Sequence, residues 1–424
     1  MTILTLTDFL RKHPLASVFI FAFVVRAALF FILPIPDQLG GDFSLYQRIA
    51  DNILLQGNLG GEPHKTYGSP SISPGWAFFL SGYELFFGSS TTALLALSAT
   101  LGGLLAVGSY LIANLFFGRA AALATGIAVS LWPAFLIQAF QYGSSLLLYS
   151  ALFVFGVFFF LKAAYRGSWF CTVVSGVLLG FAALVDAIGF FVPLVLAVWL
   201  FVVKRSRHSI LLALILLTAA GLVIAPWTYR NVMIAEQLGL SDGVPLVSKG
   251  ELQLLSPARL SGVAETVTDY TRVVPALAKL YVFPFGIAEL ASWPVSVNAP
   301  QEAFSYKELL PELLQGRAVA LSTGEWVVLW VKVAITILHW VVLVLALLAF
   351  VSMSRGGSWG FPLLVALLAG YVTVAVTGYT GGQFKYISEP SSFIFPLMPL
   401  FIALASFSLV WLFGALRRSG RAYI

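Results

Sequence analysis

The sequence has 424 residues, of which 59% are hydrophobic and only 10% are charged, and its mean hydropathy is +0.94. A soluble protein could not keep that much apolar surface from water, so the composition indicates an all-α polytopic membrane protein. The net charge of +6 comes from basic residues in short loops between apolar runs, which implies no nucleic-acid partner. The single cysteine, Cys171, excludes an intrachain disulfide, and four scattered histidines argue against a protein-built zinc site.

Apolar runs of the length that an α-helix needs to cross a bilayer, about 20 residues, recur along the chain. The first follows Arg11 and Lys12, and no small-residue cleavage site follows it, so it is interpreted as a retained span and not as a signal peptide. About ten spans are predicted: Leu15–Leu33, Thr91–Phe117, Ala121–Ala139, Ser144–Leu161, Trp169–Leu184, Ala187–Val203, Ile210–Ala225, Trp326–Val351, Phe361–Gly378 and Ser391–Leu416.

Basic residues predict the orientation of these spans. With the N-terminus in the cytoplasm, the cytoplasmic ends collect Arg and Lys, and Asp8 is the only acidic residue on that side. Both termini are then expected in the cytoplasm. Residues Gly75–Gly88 and Val273–Leu290 are predicted as outer-surface or re-entrant helices, because counting either alone as a span would reverse every later loop.

The resulting organisation has three parts. Residues 1–226 are predicted as an N-terminal transmembrane core with an outer loop at 34–90, residues 227–325 as an outward-facing region, and residues 326–424 as C-terminal transmembrane helices. Long loops on a compact bundle are usually functional, so the site is expected outside. No Walker loop or dinucleotide-binding fingerprint supports a nucleotide site in the cytoplasm.

The stretch Gly40–Gly57 opens the first outer loop with a carboxylate, Asp42. A helix with one apolar stripe is predicted from Ser44 onward, lying in the membrane interface. Asp42 could be the N-cap of this helix. However, Ser44 and Gln47 have the spacing of a capping box, which would leave Asp42 available for chemistry.

Two cations are expected at the outer membrane boundary. Arg230 stands in the sequence Ala-Pro-Trp-Thr-Tyr-Arg-Asn, and Lys385 lies between the last two predicted spans. Each is interpreted either as an interface anchor whose long side chain snorkels to water or as a group that binds a phosphate at headgroup depth. His64 and Lys65 in the first loop could also contact a phosphate, and an exposed loop explains them equally well.

Several other polar residues have two open interpretations. Asp186, in the turn after the fifth span, is either a helix cap or part of a site. Arg26 must face the bundle interior because a charge in lipid is costly, with Asp186 or Gln138 as conceivable partners. His339 is predicted to be a satisfied packing residue. The indoles that could stack on a sugar or anchor at the interface are Trp76, Trp227 and Trp293.

Short motifs recur in a particular order along the chain, and together they resemble the GT-C superfamily of integral-membrane glycosyltransferases. The branch with protein O-mannosyltransferases and the aminoarabinose transferases of lipid A is the most similar. The motifs are Asp42-x-x-x-Tyr46-x-x-x-Ala50, Ser73-Pro74-Gly75-Trp76 with Phe86-Phe87-Gly88, Leu131-Trp132-Pro133, Pro226-Trp227-Thr228-Tyr229-Arg230-Asn231, and Lys385-Tyr386 with Pro390 and Pro396. The chain departs from the family at Leu184-Val185-Asp186-Ala187, where relatives read Leu-Thr-Arg-Pro, and at Ser144-Ser145, where relatives often have an acid.

The resemblance implies a transferase that inverts the anomeric carbon and moves a sugar from a polyprenyl-phosphate donor to an acceptor hydroxyl on a glycan, lipid or protein. Asp42 is then the general base, and the donor phosphate is bound by Arg230 and Lys385 with Lys65 and His64. No metal or other cofactor is implied. A bacterial inner membrane is expected, with the active site in the periplasm. The implied substrate contacts are Tyr46, Asp186, Trp76, Trp227, Tyr229 and Asn231.

Other functions remain open at this point. A transporter or lipid flippase would require interrupted helices and polar residues near the bilayer midplane. A polysaccharide polymerase or ligase with a polyprenyl-diphosphate donor would depend on arginines of the outer region such as Arg259, Arg272 and Arg317. A third possibility is a non-catalytic relative that binds the lipid and assists a larger complex.

Overall fold

A computed structural model describes residues 12–32, 42–59, 73–140, 145–237, 281, 323–380 and 390–421. Within these ranges the secondary structure is helical, which confirms the predicted fold class. The α-helices are α1 (Pro14–Ile32), α2 (Asp42–Gln56), α3 (Gly75–Phe87), α4 (Thr91–Leu131), α5 (Pro133–Phe140), α6 (Ser145–Arg166), α7 (Trp169–Val185), α8 (Val192–Lys204), α9 (Arg207–Gln237), α10 (Thr323–Arg355), α11 (Gly360–Thr380) and α12 (Met398–Arg421). Two 3₁₀ helices, Ala187–Gly189 and Pro390–Leu397, precede α8 and α12.

Seven of the described helical segments are long and apolar enough to cross a membrane, and Trp169–Val185 and Gly360–Ala375 are shorter apolar helices. The protein is therefore a membrane protein with several spans. Gly75–Phe87 is not among these segments, in keeping with its prediction as a non-spanning helix. The predicted number of ten spans stays a prediction, and Val273–Leu290 lies outside the described residues except for Tyr281.

Helix α4 is a hairpin of two helices that meet at Gly118, whose φ of 77° and ψ of 177° are not helical. A Cβ on Gly126 would lie 3.6 Å from the Cβ of Tyr110. These two residues are each eight positions from Gly118, so the two halves run antiparallel and in contact. They correspond to the second and third predicted spans. The third is interrupted at Trp132, which is extended because the ring of Pro133 disfavours a helical conformation in the residue before it.

Small residues allow the helices to pack closely. This is common in membrane proteins, because lipid tails are as apolar as the helix surfaces and association therefore depends on close packing. A Cβ on Gly103 would lie 2.7 Å from the Phe19 ring of α1, and one on Gly176 of α7 would lie 2.6 Å from Ala219 of α9. These contacts show that α1 lies directly on the α4 hairpin and that α7 lies directly on α9.

The C-terminal helices share one hydrophobic core with the helices before residue 226. The rings of Phe135 and Phe395 are 4.6 Å apart, edge to face. Trp199 Nε1 of α8 donates a hydrogen bond of 2.7 Å to the Gly360 carbonyl oxygen. The three-part division of the chain remains a prediction, but these contacts join the first and third parts in a single core.

Helix α3 lies beside α7, and α2 lies against α3. The backbone of Gly75 approaches the end of α7 so closely that a Cβ there would be 2.6 Å from Val185 N. At the other end of α3, Tyr83 Oη donates to the Ala93 carbonyl oxygen over 2.7 Å. Helix α3 is thus attached at both ends, and α2 packs against it.

The start of α2 differs from the prediction. The helix begins at Asp42, two residues before Ser44. Gln47 Oε1 is buried without a hydrogen-bond partner among the described residues, whereas a capping box would require it to accept from the backbone. The predicted capping box is therefore wrong, because the Gln47 side chain is turned toward α3 and bonds to Glu84 instead.

Candidate functional site

The sequence Pro226–Asn231 lies in the C-terminal part of α9 and places an arginine on an aromatic surface. The guanidinium carbon of Arg230 lies 4.2 Å from the centre of the Trp227 ring, and Arg230 Nη1 donates to Asn231 Oδ1 over 3.0 Å. Trp227 and Asn231 are both buried. Phe78 of α3 meets the Trp227 ring edge to face at 6.1 Å. The contacts of a cation with a ring face and a carboxamide hold the guanidinium in a defined orientation.

Arg230 borders a pocket of about 400 Å³ between the end of α2, the start of α3, α7 and α9. Apart from Arg230, the described residues of its lining carry no charged side chain and are mostly apolar: Ile53, Gly57, Asn58, Leu59, Pro74, Phe78, Leu184, Val223, Pro226 and Trp227. An apolar cavity with one cation matches a ligand that combines a hydrocarbon chain with an anionic head group.

Asp42 lies at the opposite end of α2 from this pocket. It is the first residue of the helix, and its side chain lies outside the described part of the structure. Ile53 on the pocket wall is eleven residues further along the helix, which corresponds to about 16 Å at a rise of about 1.5 Å per residue. A substrate that contacts both the pocket and Asp42 must therefore extend along α2.

The remaining predicted contact residues occupy different environments. Tyr46 is half-buried against the main core. Trp76 is only 1% exposed, and its Nε1 has no partner among the described residues, so its indole does not face an open surface. Tyr229 is 64% exposed and lines a second groove, of about 610 Å³, between α8 and α9. Their roles as substrate contacts stay predictions. Outside the described residues lie His64, Lys65, Trp293 and Lys385.

Asp186 acts as a helix cap, one of its two predicted roles. Its Oδ1 accepts a hydrogen bond of 3.0 Å from the Ile188 amide and so caps the 3₁₀ helix Ala187–Gly189. Burial raises the pKa of the Asp186 carboxyl, and the Ile188 amide opposes that shift by stabilising the charged form. Its proposed role as a substrate contact stays a prediction.

Arg26 is fully buried, as predicted, but its partners were predicted wrongly. Arg26 Nη1 donates to the carbonyl oxygens of Ala22 at 3.0 Å and Ser130 at 3.4 Å, and neither Asp186 nor Gln138 pairs with it. The reason is that the side chain turns toward α4, where only a glycine at position 102 leaves room for it. Arg26 Nε and Nη2 have no hydrogen-bond partner within the described ranges.

His339 is a satisfied buried residue, which confirms its prediction. Its Nε2 is 2.7 Å from the Tyr281 carbonyl oxygen, and its ring lies 6.1 Å from Trp132. Tyr281 Oη donates to the Ala369 carbonyl oxygen over 2.7 Å. Tyr281, which belongs to the predicted outward-facing region, thus contacts both α10 and α11.

The sequence analysis did not identify two buried charged residues, Lys332 and Glu84. Lys332 of α10 is 3% exposed and lies on the same helix face as Thr336 and His339, four and seven residues on. Glu84 of α3 is 6% exposed and accepts a hydrogen bond of 2.7 Å from Gln47 Nε2 of α2. A single charge inside an otherwise apolar run was the available signal for both. The described residues contain no group of three or more His, Cys, Asp and Glu side chains that could hold a metal ion.

The helix arrangement is similar to that of a solved membrane oligosaccharyltransferase. The chain is similar to the apo oligosaccharyltransferase of Archaeoglobus fulgidus, with a TM-score of 0.61 and 16% identity over 98% of this chain and 52% of that one. The same enzyme in complex with Zn and sulfate gives a TM-score of 0.59 at 16% identity, over 94% of this chain and 49% of that one. ArnT of Cupriavidus metallidurans in the apo state gives 0.49 at 17% identity, over 93% and 59%.

The chain thus spans about half the length of the archaeal oligosaccharyltransferase. No family model matches the sequence, and no curated protein matches it. At this low identity the comparison shows the fold alone. In fold the comparison agrees with the resemblance to the GT-C superfamily, while membership of the superfamily and the branch stay predictions.

Proposed function

We propose that the protein is a glycosyltransferase that moves a sugar from a polyprenyl-phosphate donor to a hydroxyl group of a glycan, lipid or protein acceptor. The observation that carries the proposal is the pocket of about 400 Å³, whose apolar walls end at the stacked guanidinium of Arg230. The likeness of 98% of the chain to an oligosaccharyltransferase supports a transferase of this general kind. The proposed location is a bacterial inner membrane, with both termini cytoplasmic and the reaction on the periplasmic side.

In the proposed reaction the acceptor oxygen attacks the anomeric carbon as the bond between that carbon and the phosphate oxygen breaks. The electron pair of the broken bond leaves on the phosphate, and the acceptor proton passes to the Asp42 carboxylate. A single displacement inverts the anomeric configuration. The developing negative charge on the phosphate requires cations within reach.

Arg230 is assigned the capture of the donor phosphate at the membrane edge, with the prenyl chain along the apolar wall of the pocket. About 16 Å of α2 separates that wall from Asp42. Binding of the phosphate during transfer is therefore assigned to Lys385 together with Lys65 or His64. Trp76, Tyr46, Asp186, Trp227, Tyr229 and Asn231 remain the proposed substrate contacts.

The proposal is tested by Asp42→Asn in purified protein supplied with a polyprenyl-phosphate sugar and an acceptor. Loss of a general base lowers the turnover rate by about 10²- to 10⁴-fold, while donor binding and thermal stability should be unchanged. Asp42→Glu serves as the matched control, since it retains the carboxylate and should recover part of the activity. Normal turnover by Asp42→Asn would refute the assignment of the base.

A further inference from the structure

Gln47 of α2 and Glu84 of α3 form a buried polar contact with one unusual property. Gln47 Nε2 donates to Glu84 Oε1 over 2.7 Å and lies 3.4 Å from Asp51 Oδ1 on its own helix. The other oxygen of each group, Gln47 Oε1 and Glu84 Oε2, is buried and has no hydrogen-bond partner among the described residues. A buried acceptor without a donor is destabilising because it has lost its hydrogen bonds to water, so a pair with two of them calls for an explanation.

A single proton on Glu84 would allow both of these unpaired oxygen atoms to take part in a hydrogen bond. An ionised carboxylate accepts hydrogen bonds and donates none, whereas a carboxylic acid carries one O–H donor. A proton on Glu84 Oε2 makes that atom a donor, and Gln47 Oε1 is the buried acceptor of the same pair. We propose that Glu84 is a neutral carboxylic acid, that it and the Gln47 carboxamide bond reciprocally, N–H to O and O–H to O, and that this acid–amide pair is a positioning contact that fixes α2 on α3.

The electrostatic surroundings favour the neutral acid. Burial raises the pKa of Glu84, the hydrogen bond from Gln47 lowers it, and the negative charge of Asp51 raises it. The other charged residue on this part of α2 is Arg48, which is exposed. Helix α7 and the first three turns of α4, which lie against α3, contain no charged residue; Tyr83 of α3 donates its hydroxyl to Ala93.

The pair has a place in the proposed reaction. Helix α3 is attached to the end of α7 through Gly75, and it contributes Pro74 and Phe78 to the pocket wall. The Gln47–Glu84 contact joins α2 to this fixed helix. It thereby sets the position of the helix that begins at Asp42. The assignment of Glu84 as a positioning residue for Asp42 rests on the proposed function, whereas its protonation state does not.

The pH dependence follows from the raised pKa. Protonation of Glu84 stabilises the fold, because its pKa is higher in the folded protein than in the unfolded chain. This contribution is complete below the pKa of the unfolded chain and is lost as the pH rises through the folded pKa. The melting temperature of the wild-type protein in detergent should therefore fall over that pH range, and turnover should fall with it.

The decisive variant is Glu84→Gln. The introduced carboxamide has an NH₂ group and a carbonyl oxygen in the places of the acid's O–H and C=O, so it keeps a donor and an acceptor for both bonds and cannot ionise. The fall in melting temperature and turnover at high pH should disappear. Asp51→Asn is the second variant: removal of its charge lowers the pKa of Glu84, so the fall should begin at a lower pH. A flat wild-type melting profile, or the same pH-dependent fall in Glu84→Gln, would overturn the proposal.

Infrared spectroscopy tests the protonation state without an activity assay. In a pH titration the wild-type protein should show the carbonyl band of a protonated carboxylic acid, absent in Glu84→Gln, at a pH above that at which an ordinary glutamate ionises, and absence of the band there would contradict the neutral acid. If Glu84→Gln does not fold, Asp51→Asn and the infrared band of the wild type decide the question. An inactive wild type that shows the band would contradict the proposed function and leave the acid–amide pair supported.

Discussion

The guanidinium carbon of Arg230 lies over the Trp227 indole, 4.2 Å from the ring centre, and Arg230 donates a hydrogen bond to Asn231. Replacement of Arg230 by alanine should weaken binding of a polyprenyl phosphate by about ten- to a hundredfold, because a hydrogen bond to a charged group contributes about 1.5–3 kcal/mol. Binding of the acceptor should change little. Both are measured by titration of the purified protein in lipid nanodiscs.

Two matched variants define the role of the guanidinium. Arg230→Lys keeps the charge but loses the planar fork and the stacked geometry, so its donor affinity should be intermediate. Arg207→Ala removes an exposed arginine at the other end of the same helix and should have no effect. Equal weakening of donor and acceptor binding by Arg230→Ala would count against a phosphate-binding role.

Two glycines of α3 give a prediction about how that helix is attached. A Cβ on Gly75 would lie 2.6 Å from Val185 N and 2.7 Å from Leu184 C, whereas one on Gly82 has no neighbour within 4 Å. Gly75→Ala should lower the free energy of unfolding by about 1–3 kcal/mol through overpacking. Gly82→Ala should leave it unchanged or raise it by about 0.5–1 kcal/mol.

Unfolding of the two glycine variants by denaturant in detergent provides the comparison. Because α3 forms part of the pocket wall, Gly75→Ala should also weaken donor binding, while Gly82→Ala should not. Similar stability of the two variants would mean that α3 does not depend on close contact with α7.

At Arg26 one substitution is expected to preserve or raise the stability of the protein, in contrast to Gly75→Ala. Its charge is fully buried, and two of its nitrogen atoms have no partner among the described residues. Replacement of a buried charge by an apolar residue of similar volume is often neutral or stabilising, so Arg26→Met should unfold at the wild-type temperature or above it. Arg26→Ala leaves a cavity and should lower the free energy of unfolding by about 2–5 kcal/mol.

The same thermal unfolding measurement distinguishes packing from charge. If Arg26→Met is as unstable as Arg26→Ala, the charge itself is required, and its counter-charge is to be sought in the residues that the structure does not describe.

Local sequence features predicted much of the fold. Apolar run length predicted the membrane class, and the charge in the middle of the first span placed Arg26 inside the bundle. His339 was likewise predicted as a satisfied buried residue. These predictions succeeded because the cost of a charge or an unpaired polar group in lipid depends little on which neighbour it meets.

Pairings between distant residues were not predictable from the sequence. Gln47 was interpreted as a cap because Ser44 lies three residues before it, yet its partner is Glu84 on the next helix. Arg26 was expected to meet an acid or an amide and instead bonds two carbonyl oxygens. In both cases the local pattern was compatible with more than one partner, and the packing of neighbouring helices decided between them.

Gly118 has a consequence for how the chain enters the membrane. Its φ of 77° and ψ of 177° belong to a region of backbone space that is essentially restricted to glycine. Because the two antiparallel halves of α4 meet at this single residue, neither half has slack with which to cross the bilayer before the other. We therefore expect the two halves to insert as one unit during synthesis, and a longer linker at Gly118 to separate their insertion.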